Sequence, residues 1–235
     1  MINLSYSPEL SIFQGLDETI LERFAIREFQ PKEHIIVANT LTPLNLFLIL
    51  RGVCVVSKAI INYDSWCSTP YRITSGDFVG LIEAISPIPI KRMAYVTAKS
   101  PVVTLEIPYD EVRRWQTEEP ELYNIAVIRT LDKQFNTRDI LYHCSSLRAP
   151  LAGAYYFQYL YEIYQKSCYP ENYRGPVRIW ETHQDLSDAI VRNIRTIDRL
   201  ISDFQNMGML DIVKKSIYIN HEQYLLICQY IKNFA

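Results

Sequence analysis

Three arginines near the C-terminus have the types and spacing that suit chemistry with an anionic partner. They are Arg192, Arg195 and Arg199, with Thr196 between them. At about 100° per residue, they fall within roughly 60° of each other on a helical wheel. Apolar residues fill an arc of roughly 120° on the other side: Ile194, Ile197, Leu200, Ile201 and Phe204. A guanidinium clamps phosphate and also meets a guanine edge with two hydrogen bonds, so this face suits double-stranded nucleic acid.

The residues around these arginines predict a helix-turn-helix followed by a two-stranded wing. In chain order, the predicted elements are a first helix with Thr182 as N-cap, a turn at Val191 and Arg192, and a second helix from about Asn193 to Asn206 with Gly208 as its stop. Two strands follow, at 210–213 and 217–219, joined by Lys214-Lys215-Ser216. A reading helix followed by a basic ribbon is typical of DNA-binding domains. Taken alone, the arginines also fit a solvated face that Asp198 partly neutralises.

The residues before position 110 follow a β pattern instead. Short runs rich in Val, Ile, Leu and Phe lie at 34–38, 44–50, 53–57, 72–74, 94–98 and 102–107. Turn residues such as Ser75-Gly76-Asp77 separate them. This spacing predicts a small antiparallel sandwich or roll, preceded by one or two short helices within residues 1–25.

A long helix is predicted between the two patterns, from Pro120 to about Leu147. A stripe with 4-3 spacing runs along it: Asn124, Ile128, Leu131, Phe135, Arg138 and Tyr142. Such a stripe is typical of a coiled-coil seam between two subunits. The alternative is a helix that lies on its own roll. A tyrosine-rich helix at 151–166 follows a break near Pro150.

This order of elements resembles the Crp–Fnr family, the cyclic-AMP receptor and fumarate-nitrate regulator proteins, over nearly the whole chain. The matching segments are Leu46 to Val53, Ser75-Gly76-Asp77-Phe78-Val79-Gly80, Arg92-Met93-Ala94-Tyr95-Val96 and Ile194-Arg195-Thr196-Ile197-Asp198-Arg199. The resemblance implies an α+β chain with three parts: an antiparallel β-roll of the cyclic-nucleotide-binding, jelly-roll type (1–110), a dimerisation helix and hinge (111–148), and a winged helix-turn-helix (149–235).

The resemblance also implies a homodimeric transcription regulator on an inverted repeat of DNA. Arg195 and Arg199 are then expected in the major groove, with Thr196 beside them, and Thr182, His183 and Gln184 against phosphate. We expect Arg192, Lys214 and Lys215 to contact phosphate as well. The family often has Gly where Val191 stands and a base-reading Arg where Ile194 stands, so the target sequence is expected to differ.

At the positions that would bind an effector, this sequence departs from the pattern of the family. In cyclic-AMP-binding members, a Glu after the Gly of a turn holds the ribose, and an Arg followed by Ser or Thr holds the phosphate. Here Leu81 follows Gly80, and Met93 follows Arg92. Thr137 matches a position that contacts adenine in the family. The candidate effector residues are therefore Arg92, Gly80 and Thr137. Cyclic AMP itself is not expected, because Leu81 would leave ribose hydroxyls unsatisfied; the effector is unidentified, or the regulator acts without one.

Composition bounds the remaining possibilities. The chain has 235 residues, a formal net charge of −2 and five cysteines without paired spacing. No cysteine precedes Cys54, so we expect neither an iron–sulfur cluster nor another metal or haem cofactor. The sequence shows neither the features of a signal peptide nor an apolar run of membrane-spanning length. It therefore predicts a cytoplasmic protein that makes no membrane contact.

Two other classes of function compete with DNA binding. An enzyme is disfavoured because the sequence shows no phosphate-binding loop and no nucleophile elbow. A signalling or scaffold protein, whose C-terminal domain binds protein, is the stronger alternative. For a regulator, the expected partners are double-stranded DNA and a second copy, with RNA polymerase and an unknown small-molecule effector as further candidates.

Overall fold

The computed structural model describes residues 24–40, 45–59, 66–88 and 90–234. The predicted N-terminal helices fall almost wholly within residues 1–23, outside the described residues. The chain forms two compact units. The first contains the described residues up to Trp66 together with Ile73–Phe135, and the second contains Cys67–Arg72 together with the described residues from Asn136 onward.

The N-terminal half has two sheets, with strand orders β1-β8-β3-β6 and β2-β7-β4-β5 among the described residues. The strands are β1 (Ala25–Phe29), β2 (His34–Ile36), β3 (Asn45–Arg51), β4 (Cys54–Ala59), β5 (Trp66–Ile73), β6 (Phe78–Val79), β7 (Tyr95–Ala98) and β8 (Val102–Pro108). The β1–β8, β3–β8, β3–β6, β2–β7 and β4–β7 pairs are antiparallel. The predicted antiparallel roll is therefore confirmed, and β1 and β6 are strands that the sequence pattern did not predict.

One buried cluster of the first unit lies between a sheet and three helices: α1 (Leu81–Ile85), α2 (Tyr109–Glu118) and α3 (Pro120–Ser146). Leu46, Leu48 and Leu50 alternate along β3 and belong to one buried cluster with Trp115 of α2 and Leu122 of α3. Alternate residues of a strand share a face. Each fully buried leucine stabilises the fold by about 1.5–3 kcal/mol relative to an exposed one.

The long helix α3 begins at Pro120, as predicted. One of its faces packs on the first unit, where Lys133 lies 2.7 Å from an Asp77 carboxylate oxygen and donates to the Thr74 hydroxyl at 2.8 Å. The described apolar members of the predicted stripe point away from this face and are 48–68% exposed: Ile128, Leu131, Phe135 and Tyr142. The helix therefore lies on its own roll, yet it leaves the apolar stripe in solvent.

The second unit contains α4 (Ala149–Cys168), β9 (Val177–Ile179), α5 (His183–Ile190), α6 (Ile194–Asn206), β10 (Asp211–Val213), β11 (Ser216–Ile219) and α7 (His221–Phe234). Its sheet has the order β10-β11-β9. The helix-turn-helix and the wing agree with the prediction, whereas β9 and α7 were not predicted. Tyr156, Phe157, Leu160 and Tyr164 of α4 are fully buried and form the centre of this unit.

A fully buried ion pair anchors residues 67–72 within the second unit. Arg72 donates from Nε and Nη2 to the two carboxylate oxygens of Glu181, each at 2.7 Å. Both side chains have no exposed surface. The Tyr164 hydroxyl donates to Glu181 at 2.9 Å, and the Arg72 backbone N–H donates to the Tyr159 hydroxyl at 3.2 Å. Glu181 directly precedes the N-cap of α5.

Candidate nucleic-acid interface

Two residues, Val191 and Asn193, shape the turn between α5 and α6. The first is Val191, which ends α5 in the left-handed region, at φ 56°. The second is Asn193, whose side-chain oxygen accepts from the Thr196 backbone N–H at 2.9 Å and caps α6. The same oxygen accepts from the Thr196 hydroxyl at 3.0 Å. The donor of this predicted DNA-contact residue is therefore already engaged in the cap.

Helix α6 has the two-faced character that the sequence predicts. Ile197, Leu200, Ile201 and Phe204 are buried, and the opposite face is exposed. The prediction was wrong for Ile194, which is 43% exposed because it lies in the first turn, outside the packed stripe.

Close packing against α4 fixes α6 in place. Gly153 of α4 lies so near Leu200 that a Cβ on the glycine would clash with the leucine Cδ1. Because glycine lacks that atom, the two helices approach closely. Arg195 and Arg199 are exposed on the far side of α6. Two guanidiniums are thus presented to solvent from a helix that is packed along its whole buried face.

Arg192 differs from the other two arginines. It lies in the turn rather than on the helix, which begins at Ile194, so the helical wheel does not apply to it. Its guanidinium donates to the Val191 carbonyl at 2.8 Å and to the Leu147 carbonyl at 2.9 Å. The structure therefore uses Arg192 to tie the turn to the residue that follows α3, an arrangement that disfavours the predicted phosphate contact.

The predicted phosphate anchors at the start of α5 all have partners within the chain. Thr182 and Asp185 form a reciprocal capping box. His183 Nδ1 lies 2.6 Å from an Asp198 carboxylate oxygen, and Gln184 donates to Asp188 at 2.6 Å. Asp198, which the sequence suggests as a charge that partly neutralises the arginine face, lies against His183 in the structure. One of these contacts, between His183 and Asp198, joins the first turn of α5 to α6.

The wing presents the two predicted lysines at its tip. Lys214 and Lys215 have φ values of 50° and 65°, the combination of a type I′ turn, and both are exposed. A further cation, Arg178 of β9, lies at the base of the wing. Its Cζ is 3.7 Å from the centre of the Trp180 ring, and it donates to the Ser216 hydroxyl at 3.1 Å. Sequence reasoning missed Arg178, because only the β9–β11 pairing brings it here.

The candidate effector arginine of the roll, Arg92, is buried and contacts other groups of the protein. Arg92 is only 3% exposed, and its Nη1 lies 3.4 Å from a carboxylate oxygen of Glu83. Its Nη2 donates to the Asn45 carbonyl at 2.6 Å, and its Cζ lies 5.3 Å from the centre of the Tyr109 ring. Burial raises the pKa of Tyr109 well above its ordinary value, although the charge of Arg92 opposes this shift.

Gly80 has both a conformational and a steric reason to be glycine. Its φ is 93°, and a Cβ at this position would clash with Arg92 Nη1. Its carbonyl accepts from the Tyr109 hydroxyl at 2.9 Å. Gly80 and Arg92, both candidate effector residues, therefore lie in contact, and the space between them is filled by the arginine. The side chain of Thr137, the third candidate, lies outside the described residues.

The described residues contain no group of three or more His, Cys, Asp or Glu side chains that could hold a metal ion. Cys54 and Cys144 are buried, and burial raises the pKa of Cys144 to about 12. In the part of the chain that the structure describes, no helix is long and apolar enough to cross a membrane.

Comparison with known proteins gives a likeness of fold. No protein-family model and no curated protein sequence matches the chain. TTHB099, a CRP-family transcriptional regulator from Thermus thermophilus, superposes with a TM-score of 0.68 at 12% identity, over 88% of this chain and 96% of that one. FixK2 from Bradyrhizobium japonicum gives 0.67 at 11% identity, over 89% and 96%. TTHA1359, a CRP/FNR-family regulator also from Thermus thermophilus, gives 0.66 at 14% identity, over 88% and 98%.

The structure thus has the fold of CRP/FNR transcriptional regulators, an α+β chain with a β-roll and a C-terminal helix-turn-helix. The resemblance seen in the sequence is confirmed at the level of the fold. Identities of 11–14% leave the residues of the binding surfaces to be argued from this chain alone.

Proposed function

We propose that this chain is a sequence-specific, DNA-binding transcription regulator. The observation that carries the proposal is the pair Arg195 and Arg199, exposed on a helix whose opposite face is fully packed. Such a helix fits the major groove, where an arginine reads guanine through two hydrogen bonds. Lys214 and Lys215 at the wing tip supply the charge that attracts neighbouring phosphates. The net charge of −2 makes this local concentration of cations the feature that matters.

The regulator acts as a homodimer on an inverted repeat. The exposed apolar stripe of α3 supports this proposal, because large apolar side chains in a row are otherwise unfavourable in water. A second copy of the same helix, with the same spacing, covers the stripe in a symmetric coiled coil. RNA polymerase remains a predicted partner of the DNA-bound dimer.

Two alanine substitutions separate base reading from charge attraction. In fluorescence anisotropy on a preferred duplex, Arg199→Ala should cost about 1–3 kcal/mol and flatten discrimination at one base pair per half-site. Lys215→Ala should weaken binding to all duplexes alike and lower the salt slope by about one for each phosphate that the protein no longer neutralises. If neither change alters DNA binding, the scaffold function becomes the better account.

Regulation does not depend on an anionic effector at Arg92. Glu83, whose side chain is 11% exposed, supplies the negative charge that such an effector would bring. A ligand phosphate would have to displace this carboxylate, and it would lose as much charge pairing as it gains.

Removal of the Glu83 charge tests this point. Cyclic AMP at about 1 mM should change neither the melting temperature nor the DNA affinity of the unaltered protein, because a ligand that binds the native state must stabilise it. Glu83→Gln leaves a buried guanidinium uncompensated, so it should lower the melting temperature, and inorganic phosphate should restore part of the loss. Glu118→Gln, in an ion pair whose Glu118 side chain is 58% exposed, is the control and should change little. A rise in melting temperature with cyclic AMP would contradict the proposal.

A further inference from the structure

A cavity in the second unit lies outside both surfaces described above. It has a volume of about 210 Å³, is half-open to solvent, and lies between the last turns of α3 and the middle of α4. Tyr155, Tyr156 and Tyr159 contribute aromatic surface, and Asp139 and Glu162 contribute carboxylates. The combination of rings and acidic groups in one recess is unlike the basic DNA surface and the buried pair in the roll.

The cavity borders the dimer stripe of α3 and extends away from it: the ring of His143, which lines the cavity, lies 5.9 Å from the ring of Tyr142. At about 100° per residue, Ile140, His143 and Cys144 point on average about 140° away from Phe135 and Tyr142, whereas Asp139, which also lines the cavity, points only about 50° away. The first three residues line the cavity, whereas Phe135 and Tyr142 belong to the exposed stripe. The cavity therefore extends from the edge of the stripe around to the opposite side of α3.

The electrostatics of the cavity favour a positive ligand. The lining residues that the structure describes include Asp139 and Glu162 but no lysine or arginine. The carbonyl end of α3 adds partial negative charge at the same place. Two guanidiniums act on lining residues: the charge of Arg192 opposes the rise in the pKa of Cys144, and that of Arg72 opposes the rise in the pKa of Tyr156. However, Arg72 is paired with Glu181, and Arg192 is bound to backbone carbonyls.

His143 adds a hydrogen-bond acceptor. Its Nδ1 lies 2.7 Å from the Asp139 carbonyl oxygen, and a carbonyl only accepts, so Nδ1 carries the proton. In the neutral form of the ring, Nε2 is then the acceptor. The ring also lies against Tyr155, with centroids 4.9 Å apart, which holds it in place.

We propose that this cavity binds a small organic cation, an ammonium group on a compact aromatic or aliphatic body. Aromatic faces attract cations, and the two carboxylates pair with the ammonium group. A cavity of about 150 Å³ accommodates benzene, so the space here suits a single ring with a short amine arm. This site goes beyond the proposed DNA-binding function, and neither requires the other.

Three probes of nearly equal shape test the charge preference on the full-length protein by isothermal calorimetry. Benzylamine is a cation at neutral pH, benzyl alcohol is neutral and benzoate is an anion. Benzylamine should bind saturably and at least about tenfold more tightly than benzyl alcohol, since the alcohol makes neither cation–π contacts nor ion pairs with the carboxylates. Benzoate should not bind. Equal affinity for all three, or no binding of benzylamine at about 10 mM, would overturn the proposal.

A matched pair of double variants locates the site. Asp139→Asn with Glu162→Gln removes both carboxylates, while the new side-chain amide at position 162 retains an oxygen acceptor for the Tyr224 hydroxyl, which now lies 2.7 Å from Glu162. This variant should lose the preference for benzylamine over benzyl alcohol. Glu171→Gln with Glu222→Gln removes two exposed charges elsewhere in the same unit and should keep it. Loss of the preference in both variants, or in neither, would show that the cavity is not the site.

Discussion

Val191 stands out among single residues because its backbone conformation conflicts with its side chain. It is a β-branched residue at φ 56° and ψ 49°, and its side chain is 58% exposed. Residues other than glycine cost about 1–3 kcal/mol in this region, and β-branched residues are rare there. No apolar packing offsets this cost at so exposed a position. The turn of the helix-turn-helix is therefore locally strained.

Replacement of Val191 by glycine should stabilise the protein. Relief of the left-handed strain outweighs the extra chain entropy of glycine, for a net gain of about 1 kcal/mol in the free energy of unfolding. Urea denaturation measures the change. Val213→Gly is the control, because Val213 is similarly exposed at 52% but lies in a strand, where glycine destabilises. A lower stability for Val191→Gly would show that the valine contributes packing that outweighs its strain.

At the residue scale, the sequence predicts what local rules govern. Thr182 as an N-cap and the exposure of Arg195 and Arg199 follow from cap preference and helical periodicity. The partners of the charged side chains could not be predicted from these local rules. His183 meets Asp198, 15 residues along the chain, and Arg92 meets Glu83 across a turn that the pattern left without structure. Such pairs depend on tertiary packing. The periodicity of a single sequence predicts helices and strands, but not which distant residues come into contact.

Among the elements, the end of β5 is joined to the start of α5 by the ion pair Arg72–Glu181. Burial of two charges carries a large desolvation cost, and even good geometry seldom returns a net gain. The benefit of such a pair lies in specificity, since any other arrangement leaves a charge unpaired in the core. Here the pair joins residues 67–72 to Glu181, the residue immediately before the N-cap Thr182.

Removal of one partner should therefore cost far more than removal of both. Arg72→Met leaves a carboxylate unpaired in the core, and the free energy of unfolding should fall by about 3–5 kcal/mol. The double variant Arg72→Met with Glu181→Leu should recover most of that loss. Arg27→Met is the control, because the Arg27–Glu106 pair has the same 2.7 Å distance but the arginine is 61% exposed, and little change is expected. Additive losses in the double variant would contradict this account.

Element boundaries were largely predictable, and the misses have physical reasons. Helix α3 was predicted from Pro120 to about Leu147 and spans Pro120–Ser146, because a proline start is a local signal. Strand β9 is three residues long and exists only through its pairing with β11. Helix α7 has a local start signal in the sequence. Asn220 and Gln223 bond reciprocally through side chain and backbone, which is the capping-box pattern of a helix start.

At the scale of the whole molecule, the account depends on two copies acting together. A single exposed helix with two arginines reads only a short stretch of base pairs, whereas a two-fold pair of such helices doubles the contacts and sets their spacing. The stripe at Ile128, Leu131, Phe135 and Tyr142 is the surface that makes the pair. Phe135→Glu places two like charges opposite each other in that seam. By light scattering, this variant should have a mass near the 27.5 kDa of one subunit, and the unaltered protein about twice that.

Enrichment of duplexes from a random library tests the central claim most directly. The unaltered protein should enrich an inverted repeat whose half-sites lie about 34 Å apart, one turn of DNA. Phe135→Glu should enrich only isolated half-sites, and more weakly, because its reading helices are no longer coupled. A library that shows no enriched sequence, or enriched sites without two-fold symmetry, would contradict a dimeric DNA-reading regulator and favour a protein-binding function for the C-terminal unit.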